Sequence, residues 1–249
     1  MSDAAAAERV RHLDEKAEAR RGPALRPKDA ATLVIIDRAG PEPRVLMGRR
    51  HPGHSFMPGL FVFPGGRVES GDRAMCVAGA LDPRCEQRLM LKVQRPSMMR
   101  ARALALAAIR ETFEETGLLF GSAEFGTPEN PPPGSWTDFA RRGVYPDISA
   151  LTFIARAITP PGRPRRFDAR FFAVDYQNLA AQVEGVVGPD AELDRLVWLT
   201  FAETRAFALP PITRIVLDEL QERIARGFSP FLPAPFYYQH RKIWTRVEL

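Results

Sequence analysis

The chain has 249 residues, 45% of them hydrophobic and 26% charged, with a formal net charge of +5. That is globular composition and suits one elaborated domain or two small ones. No run approaches the roughly 20 apolar residues that span a bilayer. The Ala-rich start interleaves Arg9, Arg11, Arg20 and Arg21 with Glu8, Asp14, Glu15 and Glu18, which fits neither a secretory signal nor a transit peptide. The chain therefore reads as soluble and cytoplasmic.

Residues 1–30 read as a lead-in, interrupted by Gly22-Pro23 and Pro27. Ala31–Asp37 is a β-branched apolar run, hence a buried strand, and Arg44–Arg49 follows a Gly/Pro turn as its hairpin partner. His51–Gly59 is a Pro/Gly loop in which His51 and His54 are expected to serve loop packing, and Leu60–Phe63 is a short strand ended by Pro64-Gly65-Gly66. Arg73 to Met99 has no clean period. Cys76 and Cys85 lie within it and read as free thiols, since nothing points to secretion or to a zinc finger. Ala101 to Leu118 is a strong helix, with Gly117 where a C-terminal glycine belongs.

Beyond it, Gly126–Gly134 is a loop, and Ser149–Ile158 and Arg166–Tyr176 are strands around an Arg/Pro-rich turn holding Arg163, Arg165 and Arg166. Leu196–Leu199 is a strand, and Thr200 to Glu203 spells a capping box. Pro211–Arg226 is an amphipathic helix whose stripe is Ile212, Ile215, Val216, Leu220 and Ile224. Residues 229–249 form an aromatic tail expected to pack on the domain or on a second subunit, which leaves a homodimer open. Strands, helix, strands, helix in that order predict an α/β sandwich with a mixed sheet.

Chemistry concentrates in Arg110-Glu111-Thr112-Phe113-Glu114-Glu115-Thr116-Gly117-Leu118. On a helix Glu111, Glu114 and Glu115 crowd one side, while Leu106, Ile109 and Phe113 turn the other way. Like charges at that spacing repel, and a hard divalent cation such as Mg²⁺, which prefers carboxylate oxygens, removes the repulsion. A solvated acidic face is the plainer alternative, and the triplet alone does not choose between them. Upstream, Phe63 runs through Pro64, Gly65 and Gly66 to Asp72, a Gly-rich turn that lets backbone approach closely.

Together the two segments resemble the Nudix box, G-x5-E-x7-R-E-U-x-E-E-x-G-U, where U is a bulky aliphatic residue. Gly66, Arg110, Glu111, Glu114, Glu115, Gly117 and Leu118 match in order. Asp72 stands for a Glu, Thr112 for the aliphatic, and 37 residues separate Asp72 from Arg110 where the box has seven. A subset of the family carries such an insertion. The frame Leu46, Met47, Arg50, Gly59, Phe63, Pro64, Gly65, Gly66 resembles its peroxisomal coenzyme A diphosphatase branch, although Gly48, His51 and Ser55 depart from that signature.

The resemblance implies a Nudix-type α/β/α sandwich over residues 31–228, with the insertion at about 73–100. It implies a hydrolase of pyrophosphate linkages using Mg²⁺ or Mn²⁺. Glu111, Glu114, Glu115 and the Gly66 carbonyl would be metal ligands, and Glu111, Glu115 and Arg110 catalytic. Arg50, Gly65 and Gly66 would bind substrate. One of Glu184, Asp190 and Glu192 would complete the acidic set. The expected substrate is a small nucleotide-type molecule, coenzyme A or acyl-coenzyme A, with neither nucleic acid nor membrane as partner. ADP-ribose or NADH hydrolysis, and nucleotide sensing without catalysis, are the alternatives. The insertion is expected to be either a surface excursion packing its own Leu81, Leu89, Leu91 and Val93, or a lid or wall for the substrate's non-phosphate part.

Overall fold

The computed structural model describes residues 25–54 and 57–249; Ser55 and most of the lead-in lie outside them. The first strand, β1 (Lys28–Asp37), starts inside the span expected to be lead-in and pairs antiparallel with β2 (Arg44–Arg50). β3 (Phe61–Val62) pairs with β2. β4 (Gly65–Arg67) corrects the expectation of a turn: it is antiparallel to β1, Ala31 facing Gly66. Glycine permits this, because a Cβ on Gly65 would lie 2.5 Å from the Ala31 carbonyl oxygen.

Two helices follow: α1 (Ser70–Ala74), which leads into the insertion, and α2 (Pro83–Met90), which lies within it. Pro83 starts α2 rather than breaking it: Asp82 caps the helix by accepting from the Arg84 and Cys85 amides, and proline at the first position sacrifices no bond. α3 (Met98–Thr116) ends one turn's fraction earlier than expected, because Gly117 at φ 76° closes it and Leu118 already belongs to β5 (Leu118–Ser122). After α4 (Trp136–Arg141) and β6 (Tyr145–Pro146) come β7 (Thr152–Ile158), β8 (Phe167–Asp175), β9 (Leu179–Gln182) and β10 (Leu193–Thr200). The capping box forms: Thr200 Oγ1 accepts from the Glu203 amide at 3.2 Å and Glu203 from the Thr200 amide at 2.7 Å. α5 (Pro211–Ala225) precedes β11 (Pro235–His240) and β12 (Ile243–Glu248).

The described residues build one sheet of nine strands, with main order β10-β2-β1-β8-β7-β11-β12, and one of three, β6-β5-β9. The large sheet is mixed, since β1 with β8 and β7 with β11 run parallel. From Ala30 to Ile36 β1 is apolar but for Thr32, because it is covered on both faces. Ala31, Leu33 and Ile35 join the core under α3; Val34 and Ile36 join the core under α5 with Ile215, Val216 and Leu220. This is the α/β/α sandwich the resemblance implies. The aromatic tail is part of it, as the hairpin β11–β12 beside β7. The insertion is not a surface excursion: Met75, Leu81, Cys85 and Leu89 are buried in the α3-side core. Leu91 does not share that packing and is 42% exposed. No helix among the described residues is long and apolar enough to cross a membrane.

Candidate active site

α3 brings its acidic face against β4. Gly66 lies so close to Glu111 that a Cβ there would collide with the Glu111 carboxylate. Phe113, on the other side of the helix, is buried in the core, and Thr112 is fully buried with its hydroxyl donating to the Ala108 carbonyl at 2.8 Å. That internal bond is why a polar residue is tolerated where the motif has an aliphatic one.

Arg110 is the hub and is 3% exposed. Its Nε and Nη2 donate to the two oxygens of Asp72 at 2.8 and 3.1 Å, and Nη2 also to the Arg67 carbonyl at 2.7 Å. Its Nη1 donates to Glu111 Oε1 at 3.1 Å and Glu114 Oε2 at 2.9 Å. Asp72 meets Arg110 across the whole insertion, and it also accepts from the Glu69 amide at 2.7 Å within the capping box of α1. The shorter carboxylate thus starts a helix and clamps an arginine at once. Burial works against the Arg110 charge, but the hydrogen bonds it donates to Asp72 and the charges of Glu111, Asp72 and Glu114 outweigh it and hold the guanidinium above its ordinary range.

The glutamates are not equivalent. Burial pushes Glu111 up to about 7, with repulsion from Glu114 adding and Arg110 opposing. Glu115 is pushed well above the carboxylate range, first by burial, then by the charges of Glu192 and Glu111; Arg50 and a hydrogen bond from the Gly65 amide oppose this. Its Oε2 is buried and has no hydrogen-bond partner. Glu114 is more open, and its second oxygen, Oε1, accepts from Ser135 at 2.5 Å.

Arg50 ends β2 beside this cluster. Its Nη2 lies 2.7 Å from Glu192 Oε1 and 3.0 Å from His54 Nδ1. Of the three further acidic candidates, Glu192 is the one whose charge acts on Glu115. His51 takes the packing role expected of it, accepting from the Gly53 amide at 3.0 Å. His54 does more than pack its loop, since it touches Arg50. Arg166 is committed elsewhere, donating to the carbonyls of Thr159 and Leu25. Sequence reasoning did not anticipate Ser135, which arrives from a loop with no motif to mark it.

Among the described residues no three His, Cys, Asp or Glu side chains converge as a ready-made metal cluster. Arg110 binds oxygens of Glu111 and Glu114 that a cation would otherwise use. The donor set nevertheless fits a hard divalent cation. It is all oxygen, it carries an excess of negative charge, and it includes the buried, unpartnered Oε2 of Glu115, an atom that costs free energy until something satisfies it.

No family model matches the chain. The human acyl-coenzyme A diphosphatase NUDT19 is 30% identical to it over a match covering 52% of this chain and 47% of that protein, so the match spans about half the length of that curated relative. Among solved structures, a NUDIX hydrolase from Alicyclobacillus acidocaldarius is similar at a TM-score of 0.59 and 29% identity, covering 79% of this chain and 91% of the other.

Proposed function

From the premise that this chain has the Nudix fold and resembles the Nudix hydrolases, we propose that it hydrolyses the pyrophosphate linkage of a nucleoside diphosphate-linked substrate. The observation that carries this reading is Asp72 gripping Arg110 across the insertion, so that Arg110 in turn orients Glu111 and Glu114 next to the half-satisfied Glu115. Glu111, Glu114 and Glu115, with the Gly66 carbonyl, would hold Mg²⁺ or Mn²⁺. When bound, such a cation neutralises pyrophosphate oxygens and acidifies a water molecule.

The chain's own residues supply the rest. Water adds to one phosphorus, the bridging P–O bond breaks, and the second phosphate departs with its electron pair. Glu111, held by Arg110 at the edge of the Gly65–Gly66 strand, would accept the water's proton. Glu115 is the second carboxylate at the reacting centre. Arg110 acts through the glutamates. Arg50 faces the anionic substrate, with Gly65 and Gly66 permitting close approach. Glu192, tied to Arg50, completes the acidic rim.

For the substrate we favour coenzyme A or an acyl-coenzyme A, giving 4′-phosphopantetheine (or its acyl form) and 3′,5′-ADP. The support is the frame from Leu46 to Gly66 and the similarity to a human protein named for that activity. The test is a turnover panel with Mg²⁺ and Mn²⁺ over coenzyme A, acyl-coenzyme A, ADP-ribose, NADH, dinucleoside polyphosphates and nucleoside triphosphates, read by mass spectrometry. Cleavage of ADP-ribose with coenzyme A untouched would sink the substrate while keeping the chemistry. Ligand binding without turnover of any member would replace the enzyme by a nucleotide-sensing domain.

A further inference from the structure

Glu114 is the most open of the three glutamates, yet both of its oxygens are engaged. Arg110 holds Oε2 and the Ser135 hydroxyl donates to Oε1 at 2.5 Å. Ser135 reaches it from 21 residues away in sequence, at the end of the Pro/Gly-rich loop before α4. Its position is fixed by packing. Trp136, the next residue, is 1% exposed and packs at a tilt against Phe139 with ring centroids 5.1 Å apart. Phe139 meets Phe113 edge-on at 5.4 Å, and Phe113 sits one residue before Glu114 on α3. The amides of Thr137 and Asp138 donate to the carbonyls of Gly134 and Ser135 at 3.0 Å each, which fixes the backbone that carries the hydroxyl. An aromatic chain thus locks the loop to the acidic helix next to the carboxylate that the loop's serine holds.

We propose that Ser135 is a positioning residue for Glu114, its hydroxyl and the Arg110 guanidinium together setting the orientation in which Glu114 meets a divalent cation. A hydroxyl donating to a ligand carboxylate limits its rotation and leaves a lone pair on the same oxygen for the metal, and losing such a partner weakens a site without abolishing it. This rests on the reading of Glu114 as a ligand, and the experiment separates the two. Mn²⁺ binding is measured on the full chain by the loss of the free-ion electron paramagnetic resonance signal. Ser135→Ala should raise the dissociation constant about tenfold, and Ser135→Thr, which keeps the hydroxyl, should stay within about twofold of the parent. In turnover, the Mn²⁺ concentration for half-maximal rate should rise in Ser135→Ala while kcat at saturating Mn²⁺ is retained. Ser135→Ala added to Glu114→Gln should cause no further loss of Mn²⁺ affinity. Unchanged affinity in Ser135→Ala, with affinity lost in Glu114→Gln, would overturn the positioning role alone. Unchanged affinity in both would overturn the ligand reading with it. Equal weakening in the Ala and Thr variants would assign the effect to packing and also overturn the role.

Discussion

Two buried clusters of arginine and carboxylate flank the insertion, and they differ in the sign of what is left over. At the C-terminal part of α3, Arg110 faces Asp72, Glu111 and Glu114, and Arg50, paired with Glu192, stands beside Glu115: two arginines against five carboxylates. At the N-terminal part, Arg100, Arg156 and Arg170 face Asp29 and Asp168. Arg156 is bidentate to Asp168 at 2.7 Å on both bonds, donates to the carbonyls of Leu91 and Lys92, and lies over the Phe236 ring at 4.2 Å. Arg100 is likewise bidentate to Asp29, at 2.6 and 2.7 Å. The second cluster is near charge balance and pins strands, helix and insertion together, so it reads as scaffold. The first carries a surplus of negative charge; each cluster leaves buried polar atoms unpartnered, Glu115 Oε2 in the first and Arg170 Nε and Nη2 in the second, so the sign and size of the surplus are what separate them. A buried ion-pair network does not mark a site; an uncompensated charge of one sign does.

The largest expected effect lies in the scaffold. Asp168→Ala leaves Arg156 and Arg170 buried and short of a partner, which should cost about 3–5 kcal/mol of stability. Denaturant unfolding reads it, with Mn²⁺ affinity of the folded fraction unchanged; a loss below about 1 kcal/mol would show that the two clusters are not different in kind. Next comes the acidic site. Glu115→Gln should lower turnover at least about a hundredfold while leaving the metal-free fold as stable as before or more so, because a buried like charge is removed. Turnover close to the parent's would remove Glu115 from the chemistry.

A gentler lever is pH. Folding raises Glu111 from the ordinary carboxylate range to about 7, and Glu115 shifts in the same direction. Between those values the folded chain binds more protons than the unfolded one, so metal-free stability should fall as pH rises toward 7. Scanning calorimetry in a chelator should show the decline, and Glu111→Gln should flatten it. An unchanged slope in that variant would clear Glu111 of the effect. Smallest is Leu91→Ser, expected within about 0.5 kcal/mol, since the side chain is 42% exposed and Arg156 uses only its carbonyl. Thermal unfolding checks it, and a larger loss would mean that this end of the insertion is held by its side chains as well.

What could be read without coordinates was whatever repeats locally. The α3 and α5 stripes, the two-sided apolar β1 and the Gly117 helix stop all follow from neighbours in sequence. β4 was lost because two glycines look like a turn, and only the close approach of the β1 backbone makes them a strand. β5, β6 and β9 are two to five residues long, too short for a period to appear. Of the site, the three glutamates were visible on one helix face. Their link to Asp72 came only through the resemblance to a motif, because no local pattern joins residues 38 apart. Ser135 was beyond reach for the same reason, at 21 residues from Glu114; His54 is only four residues from Arg50, but a loop brings the two together and leaves no period to read.

The place of β11 in the large sheet bears on how the chain folds as it is made. β7 gains its parallel neighbour only when residues some 80 positions downstream arrive, Phe236 beside Arg156 and Tyr237 beside Ala157. Until then a nascent chain holding β1, β7, β8 and the acidic helix exposes one long side of β7 as an unpaired template. Such edges recruit other chains, and parallel pairing across that sequence distance forms slowly. Synthesis that stalls before residue 235 should therefore yield a species prone to sticking to its own copies, even though every residue of the acidic site has already been made.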